Sequence, residues 1–201
     1  MGTMNRPQAP TAAQLQREVD RVRDRKRFQS ALCRTLGALA LIAAFVAAVV
    51  YMVPVLRVRG TSMSPTLSEG DVLVALRGIP CGRGDIAAFD DGTHILVKRI
   101  IAGAGDVVDI GEDGAVTVNG QALEEPYVAE LARGELDVDL PCRVPGGSWF
   151  VMGDHRAVSV DSRSTAVGLL TQEQLLGRVV LRVWPPDRLT LLTGGANTGE
   201  E

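Results

Sequence analysis

Aromatic residues, histidines and net charge are all scarce in this chain, and each scarcity removes a class of protein. Phe, Trp and Tyr make up only 4% of 201 residues, while glycine numbers 22 and proline 10. That balance favours a turn-rich β protein over a helical bundle. The formal charge of -3 argues against a nucleic-acid partner, which calls for a strongly basic surface. Neither His94 nor His155 has cysteine or carboxylate neighbours at zinc-ligand spacing, so no metal is expected. There are no internal repeats, and only one apolar run is long enough to cross a bilayer. The 46% of hydrophobic residues suffices for a buried core. This excludes wholesale disorder and leaves one compact domain with appendages as the expected organisation.

Charge is unevenly spread. Residues 1–34 carry Arg6, Arg17, Arg21, Arg23, Arg25, Lys26, Arg27 and Arg34 against Glu18, Asp20 and Asp24, a net +5 that leaves -8 for the rest. The following segment, Leu36 to Val53 (LGALALIAAFVAAVVYMV), contains no charged residue. About 20 apolar residues rising ~1.5 Å each match the hydrocarbon thickness, so a transmembrane helix is expected over 35–55. A cleaved secretory signal would have a shorter apolar run and a small-x-small site after it, whereas Pro54-Val55-Leu56-Arg57 follows here. A buried core helix would show a polar face, and this run has none. The basic cluster from Arg21 to Arg34 outnumbers Arg57 and Arg59. By the positive-inside rule the arm 1–34 is cytoplasmic and the chain beyond 55 extracytoplasmic, in a single pass of the cell membrane. Contact of the arm with membrane lipid is a secondary consequence. Outside, Cys81 and Cys142 lie where a disulfide is permitted, and a disulfide and two free thiols both remain open. Cys33, at the membrane edge, reads as a small apolar filler.

Past the span the pattern changes to short apolar stretches broken by turns. Strands are expected at Asp71–Leu76, Asp85–Phe89, Thr93–Ile101, Val107–Ile110, Ala115–Val118, Gln121–Leu123, Ser148–Met152 and Val179–Trp184. Asp113-Gly114 and Asn119-Gly120 read as hairpin turns. A charged helix is expected over 14–30. A short soluble helix is expected over Thr171–Leu176, with Thr171 and Gln174 as its capping box and Gly177 as its stop. Residues 1–13 and the tail 193–201 read as loose. The fold class is therefore mainly β: a single N-terminal transmembrane helix followed by an extracytoplasmic β domain over 56–192.

Three clusters in that β domain carry chemistry. The first is Gly60-Thr61-Ser62-Met63-Ser64-Pro65-Thr66-Leu67, just beyond the membrane; a serine hydroxyl is a poor nucleophile until a base takes its proton. The second is Leu96-Val97-Lys98-Arg99-Ile100-Ile101. Alternation along a strand puts Lys98 on the face of Leu96 and Ile100, where the cost of desolvating an ammonium lets the neutral amine exist near pH 7. Arg99, on the other face, cannot serve, because a guanidinium keeps its proton. The third is Gly153-Asp154-His155-Arg156-Ala157-Val158-Ser159-Val160-Asp161-Ser162-Arg163, rich in hydrogen-bonding groups suited to supporting a catalytic pair.

Ser-Met-x-Pro-Thr-Leu, a strand ending in Val-Lys-Arg, and Gly-Asp-x-Arg followed by Ser-x-Asp-Ser-Arg, with Arg83-Gly84-Asp85-Ile86 between them, resemble the bacterial type I signal peptidases over roughly residues 36–190. The resemblance implies a largely β catalytic domain outside the membrane, working by a Ser/Lys dyad with no metal or cofactor. It assigns Ser62 as nucleophile and Lys98 as general base, Ser159 as the hydroxyl that orients the amine, and Asp161 with Arg163 as an ion pair bracing the third motif. It further implies exported preproteins as substrates, cut after small residues in an Ala-x-Ala pattern. The extended substrate would pair with strand edges near residues 59–62 and near Lys98. A monomer is expected.

Two positions depart from the family. Some members place a serine two residues before the nucleophile to complete the oxyanion hole, and here that residue is Gly60. His155 stands where asparagine is usual; it reads as a polar neighbour rather than as a triad base, because Lys98 occupies its expected motif. His94 reads as a rim residue. The competing functions are a dedicated peptidase for one pilin-type client and a catalytically silent, membrane-anchored β domain that binds extended peptides. Self-cleaving repressors of related Ser/Lys fold carry a DNA-binding head, whereas this chain carries an anchor.

Overall fold

The structure, a computed structural model, describes residues 12–192. Of the loose ends expected at residues 1–13 and 193–201, residues 1–11 and 193–201 lie outside the described residues, while Ala12 and Ala13 already belong to a helix. The chain divides into two units, one ending at Val49 and the other beginning at Val50.

Helix α1 runs without a break from Ala12 to Met52. The charged helix and the apolar span, expected as two segments, are thus one element, and it stops short of residue 55. Pro54 ends it, since the residue before a proline is pushed out of helical geometry and proline itself has no N–H to donate. Within it, Arg25–Met52 is long and apolar enough to cross a membrane, and Leu36, Leu39, Leu41, Ile42 and Phe45 are all exposed.

The second unit is mainly β, with one short 3-10 helix at Pro186–Arg188. Its strands are β1 (Val55–Arg57), β2 (Val72–Leu76), β3 (Ile86–Asp90), β4 (Ile95–Ala102), β5 (Val107–Ile110), β6 (Val116–Val118), β7 (Gln121–Ala122), β8 (Cys142–Arg143), β9 (Ser148–Met152), β10 (Leu170–Thr171), β11 (Leu175–Trp184) and β12 (Thr190–Leu191). An eight-stranded sheet has the order β1-β2-β11-β3-β4-β9-β10, with β12 also on β11, and a four-stranded sheet has the order β7-β6-β5-β8. All pairings are antiparallel.

Alternation decides how the sheets pack. On β3, Ile86 and Ala88 join Met63, Leu67, Leu73 and Val179 in one cluster, while Ala87 and Phe89 join Ile100, Val151 and Leu170 in another. Both faces of β3 are therefore buried, which is why IAAF shows no polar alternation. A third cluster joins Ile101, Phe150 and Met152 to Val108, Ile110, Val116 and Val118 of the smaller sheet. The Asn119-Gly120 turn is as expected: both residues have positive φ, 55° and 78°, and Val118 pairs with Gln121 across a two-residue loop, as a type I′ turn requires.

One expected element is absent. Residues 171–176 form no helix: Leu170–Thr171 is β10 and Leu175 already begins β11. The capping-box contact itself exists, with the Thr171 N–H donating to Gln174 Oε1 at 2.9 Å, but it closes a turn in which Gln174 N–H returns to the Thr171 carbonyl. The run that follows is β11 itself, with Val179, Val180 and Val183, and its pairing with β2 and β3 takes the place of helix propagation. Gly177 is no helix stop. A Cβ there would stand 2.7 Å from the Leu76 carbonyl oxygen, so glycine lets β11 cross close to β2. Cys33, Cys81 and Cys142 are all free thiols, and burial pushes Cys81 up to about 11.

Candidate active site

Lys98 sits midway along β4, opposite Ala87 of β3 and two residues from Ile100, both of which are buried in one apolar cluster. It is itself only 3% exposed. Burial is the main force that lowers its pKa; Asp161 and Asp154 oppose the shift and Arg163 reinforces it. Its Nζ donates to Ser159 Oγ at 2.8 Å.

Asp161 and Arg163, both fully buried, form a two-pronged pair: Arg163 Nε and an Nη donate to the two carboxylate oxygens at 2.8 and 2.9 Å. Burial alone would raise the Asp161 pKa, but the arginine, the Gly153 N–H and the Ser159 hydroxyl together hold it below the usual carboxylate value. Arg163 also donates to the Ser159 carbonyl, so the hydroxyl that meets Lys98 is held through both its side chain and its main chain.

Ser62 lies in a series of turns over residues 61–66, not on a strand. Its neighbours Met63 and Leu67 are buried in the core, and the Leu67 N–H donates to the Met63 carbonyl at 2.9 Å. Those two side chains pin the turn. The Ser62 carbonyl accepts from His155 N–H at 3.0 Å, and the His155 carbonyl accepts from Ser159 N–H at 3.1 Å. Gly153 fits between them: a Cβ there would run into both Ser62 O and Ser159 Oγ. The Ser62 main chain is thus tied through His155 and Gly153 to Ser159, which in turn meets Lys98 and, with Asp161 and Arg163, forms the third motif's network.

One histidine and one strand edge sit differently from expectation. His94 is not on β4, which starts at Ile95; it closes an exposed turn with its N–H on Asp91. The His155 Nδ1 is buried and makes no hydrogen bond. Strand β1 ends at Arg57, and pairing continues only to Val58, which bonds to Asp71 and Gly70. The edge of β4 is more open: β3 covers it from Ile95 to Arg99, whereas β9 covers it only from Arg99 onward.

Sequence reasoning left the partners of Arg99 unread. Arg99 donates to both oxygens of Asp154, at 2.8 and 2.6 Å, and to the Gly84 carbonyl at 2.8 Å. Its guanidinium stacks over Tyr127 at 3.8 Å, and Thr66 donates to Asp154 at 2.5 Å. This network fastens the Ser62 turn to β4 from the opposite side. Tyr127 and Glu125, which binds Arg156, lie in an aperiodic polar segment and give no local signal.

A family model described as signal peptidase, peptidase S26, matches residues 30–184. Signal peptidase IB of Staphylococcus aureus is 35% identical over 148 residues, covering 64% of this chain and 76% of that protein. Signal peptidase I of Bacillus licheniformis is 36% identical over 133 residues, covering 60% and 70%. The crystal structure of a signal peptidase I from Enterococcus faecalis aligns with a TM-score of 0.42 at 29% identity, over 50% of this chain and 97% of that one. The chain belongs to the S26 family of signal peptidases. It is accordingly a serine endopeptidase, a hydrolase that acts on the signal peptides of exported preproteins.

Proposed function

We propose that the chain cleaves signal peptides by a Ser62/Lys98 dyad while anchored in the cell membrane by α1, with its arm over 1–34 cytoplasmic and its catalytic domain over 56–192 outside. The observation that carries this reading is a buried lysine on β4 whose one hydrogen-bond partner among the described residues is a hydroxyl. Neutral Lys98 takes the Ser62 proton as Oγ attacks the scissile carbonyl, returns it to the leaving amine, and then activates water against the acyl-enzyme. Ser159 Oγ accepts one Lys98 N–H, which fixes that amine N–H and leaves the nitrogen lone pair free for the Ser62 proton. The Ser62 N–H supplies one oxyanion donor, while Gly60, with φ of 77°, supplies no side-chain donor.

The substrate enters as an extended strand along the uncovered edge of β4 at Ile95–Lys98. The Ala-x-Ala preference that the family resemblance implies is one that shallow apolar subsites enforce, since they reject larger side chains by overlap. A chain whose own apolar segment lies in the bilayer presents its cleavage site close to where α1 ends. The test is cleavage of a preprotein in detergent by wild type, Ser62→Ala and Lys98→Ala. Both variants are expected to stay folded and lose turnover; turnover retained by Ser62→Ala overturns the dyad.

A further inference from the structure

Between β7 and β8 the chain runs through residues 123–141 without regular structure, a length at which connections usually carry a function. This segment is a strap laid on the third motif. Arg163, besides its pairing with Asp161, donates to the carbonyls of Ala132 and Arg133 at 3.2 and 2.9 Å. The Asp137 N–H donates to the Arg163 carbonyl, and the Asp137 carboxylate accepts from the Thr165 N–H and hydroxyl. Gly134, with φ of 66°, passes so close that a Cβ would strike the Arg163 guanidinium and stand 2.8 Å from the Arg156 carbonyl.

The strap's Glu125 makes the contact that leads furthest into the site. Its two oxygens accept from the two Nη atoms of Arg156 at 2.8 and 2.5 Å, and Tyr127 adds a third bond from its hydroxyl at 2.9 Å. Both side chains of the ion pair are buried, at 0% and 4% exposure. With its Nη atoms so occupied, Arg156 turns Nε to the Gly153 carbonyl at 3.1 Å. Gly153 is the residue wedged against Ser62 O and Ser159 Oγ. A continuous set of contacts therefore runs from Glu125 through Arg156 and Gly153 to the Ser62 carbonyl and to Ser159 Oγ, the hydroxyl that meets Lys98.

We propose that Glu125 is a positioning residue for the peptidase reaction: by clamping Arg156 it fixes Gly153, and with it the spacing of Ser62 and Ser159 about Lys98. The inference rests on the dyad reading above. Misplacing reacting groups by about 1 Å costs on the order of 100-fold in rate, so a slackened pivot acts on turnover rather than on substrate affinity. The groups around Lys98 are Ser159, Asp161, Arg163 and Asp154. Loosening the strap admits water without removing any of them, and so lets the amine hold its proton more readily.

The experiment compares full-length wild type, Glu125→Gln and Glu125→Asp in detergent on one preprotein, with kcat and KM measured across pH. Folded active sites are counted by a serine-reactive β-lactone probe. Glu125→Gln is expected to lower kcat per labelled site by about ten-fold or more while changing KM by less than about two-fold, and to move the acid limb to higher pH. Glu125→Asp, which keeps the charge, is expected to recover part of both effects. A merely structural role lowers the number of labelled sites at every pH and leaves the limb in place; that result overturns the inference. So does failure of both variants to fold. Ser62→Ala is run alongside: if it turns over substrate, the dyad falls by itself, whereas a dead Ser62→Ala with an unaltered Glu125→Gln removes only the clamp.

Discussion

Lys98 and Arg99 are neighbours on β4 and face opposite sides of it, and the two sides treat a buried cation in opposite ways. On the Arg99 side the charge is matched in full: both Asp154 oxygens, the Gly84 carbonyl and the Tyr127 ring surround it. On the Lys98 side Asp161, the carboxylate that acts most strongly on the amine, is committed to Arg163, and the amine is left with a hydroxyl. A permanent charge needs a dedicated counter-ion to be buried at all. A group that must give up its proton is better without one, because a paired carboxylate would hold the ammonium form in place. On the proposed mechanism, the difference between the two faces is that between a tie and a proton carrier.

The largest effects expected from this contrast are on turnover. Ser62→Ala and Lys98→Met should each lower cleavage by roughly a thousand-fold or more, as removal of a member of a catalytic unit does. Lys98→Arg should be as inactive as Lys98→Met, since a guanidinium cannot act as a base at neutral pH. Denaturation curves should then separate the faces. Lys98→Met leaves the domain as stable as wild type or more so, whereas Asp154→Ala strands a buried guanidinium and costs about 3–5 kcal/mol. Equal losses from the two would remove the distinction.

The alternation that places Lys98 and Arg99 on opposite faces was legible in Leu96-Val97-Lys98-Arg99-Ile100, and the short apolar runs located most strands to within a residue or two. The residues that brace those side chains were less so. The Asp161–Arg163 pair lies two residues apart in one motif, while Arg99 and Asp154 come from β4 and the turn after β9, and Glu125 reaches Arg156 from an irregular strap. No period in the sequence encodes such a meeting, because it depends on how strands β4 and β9 register. The Thr171–Leu176 helix failed for a related reason. Its cap residues do bond locally, but whether a turn continues as helix or strand is decided by what lies alongside, and here β11 pairs with both β2 and β3.

A smaller effect concerns pH. Burial lowers the Lys98 pKa in the folded state, so between the folded value and the ordinary lysine value of about 10.4 the unfolded chain binds more protons. Stability attributable to this residue therefore rises with pH across that window, and the destabilisation is fully present below it. Lys98→Met should abolish that slope in thermal melts taken at a series of pH values. In the wild type, turnover should fall as pH drops through the same folded-state pKa, because protonation silences the base. A flat acid limb would mean that no amine takes the serine proton.

The least effect is expected at His155, and it discriminates best between a lysine and a histidine base. Its main chain does the joining: the N–H holds the Ser62 carbonyl and the carbonyl holds the Ser159 N–H, while the imidazole Nδ1 is buried without a hydrogen bond. A base in a triad would need that nitrogen held by a carboxylate to fix its tautomer. His155→Ala keeps both main-chain bonds, so kcat should fall by less than about ten-fold, against the roughly 100- to 10,000-fold that loss of a general base costs. If instead His155→Ala is inactive while Lys98→Met still cleaves, the proton is carried by the imidazole, and the two faces of β4 differ only in packing.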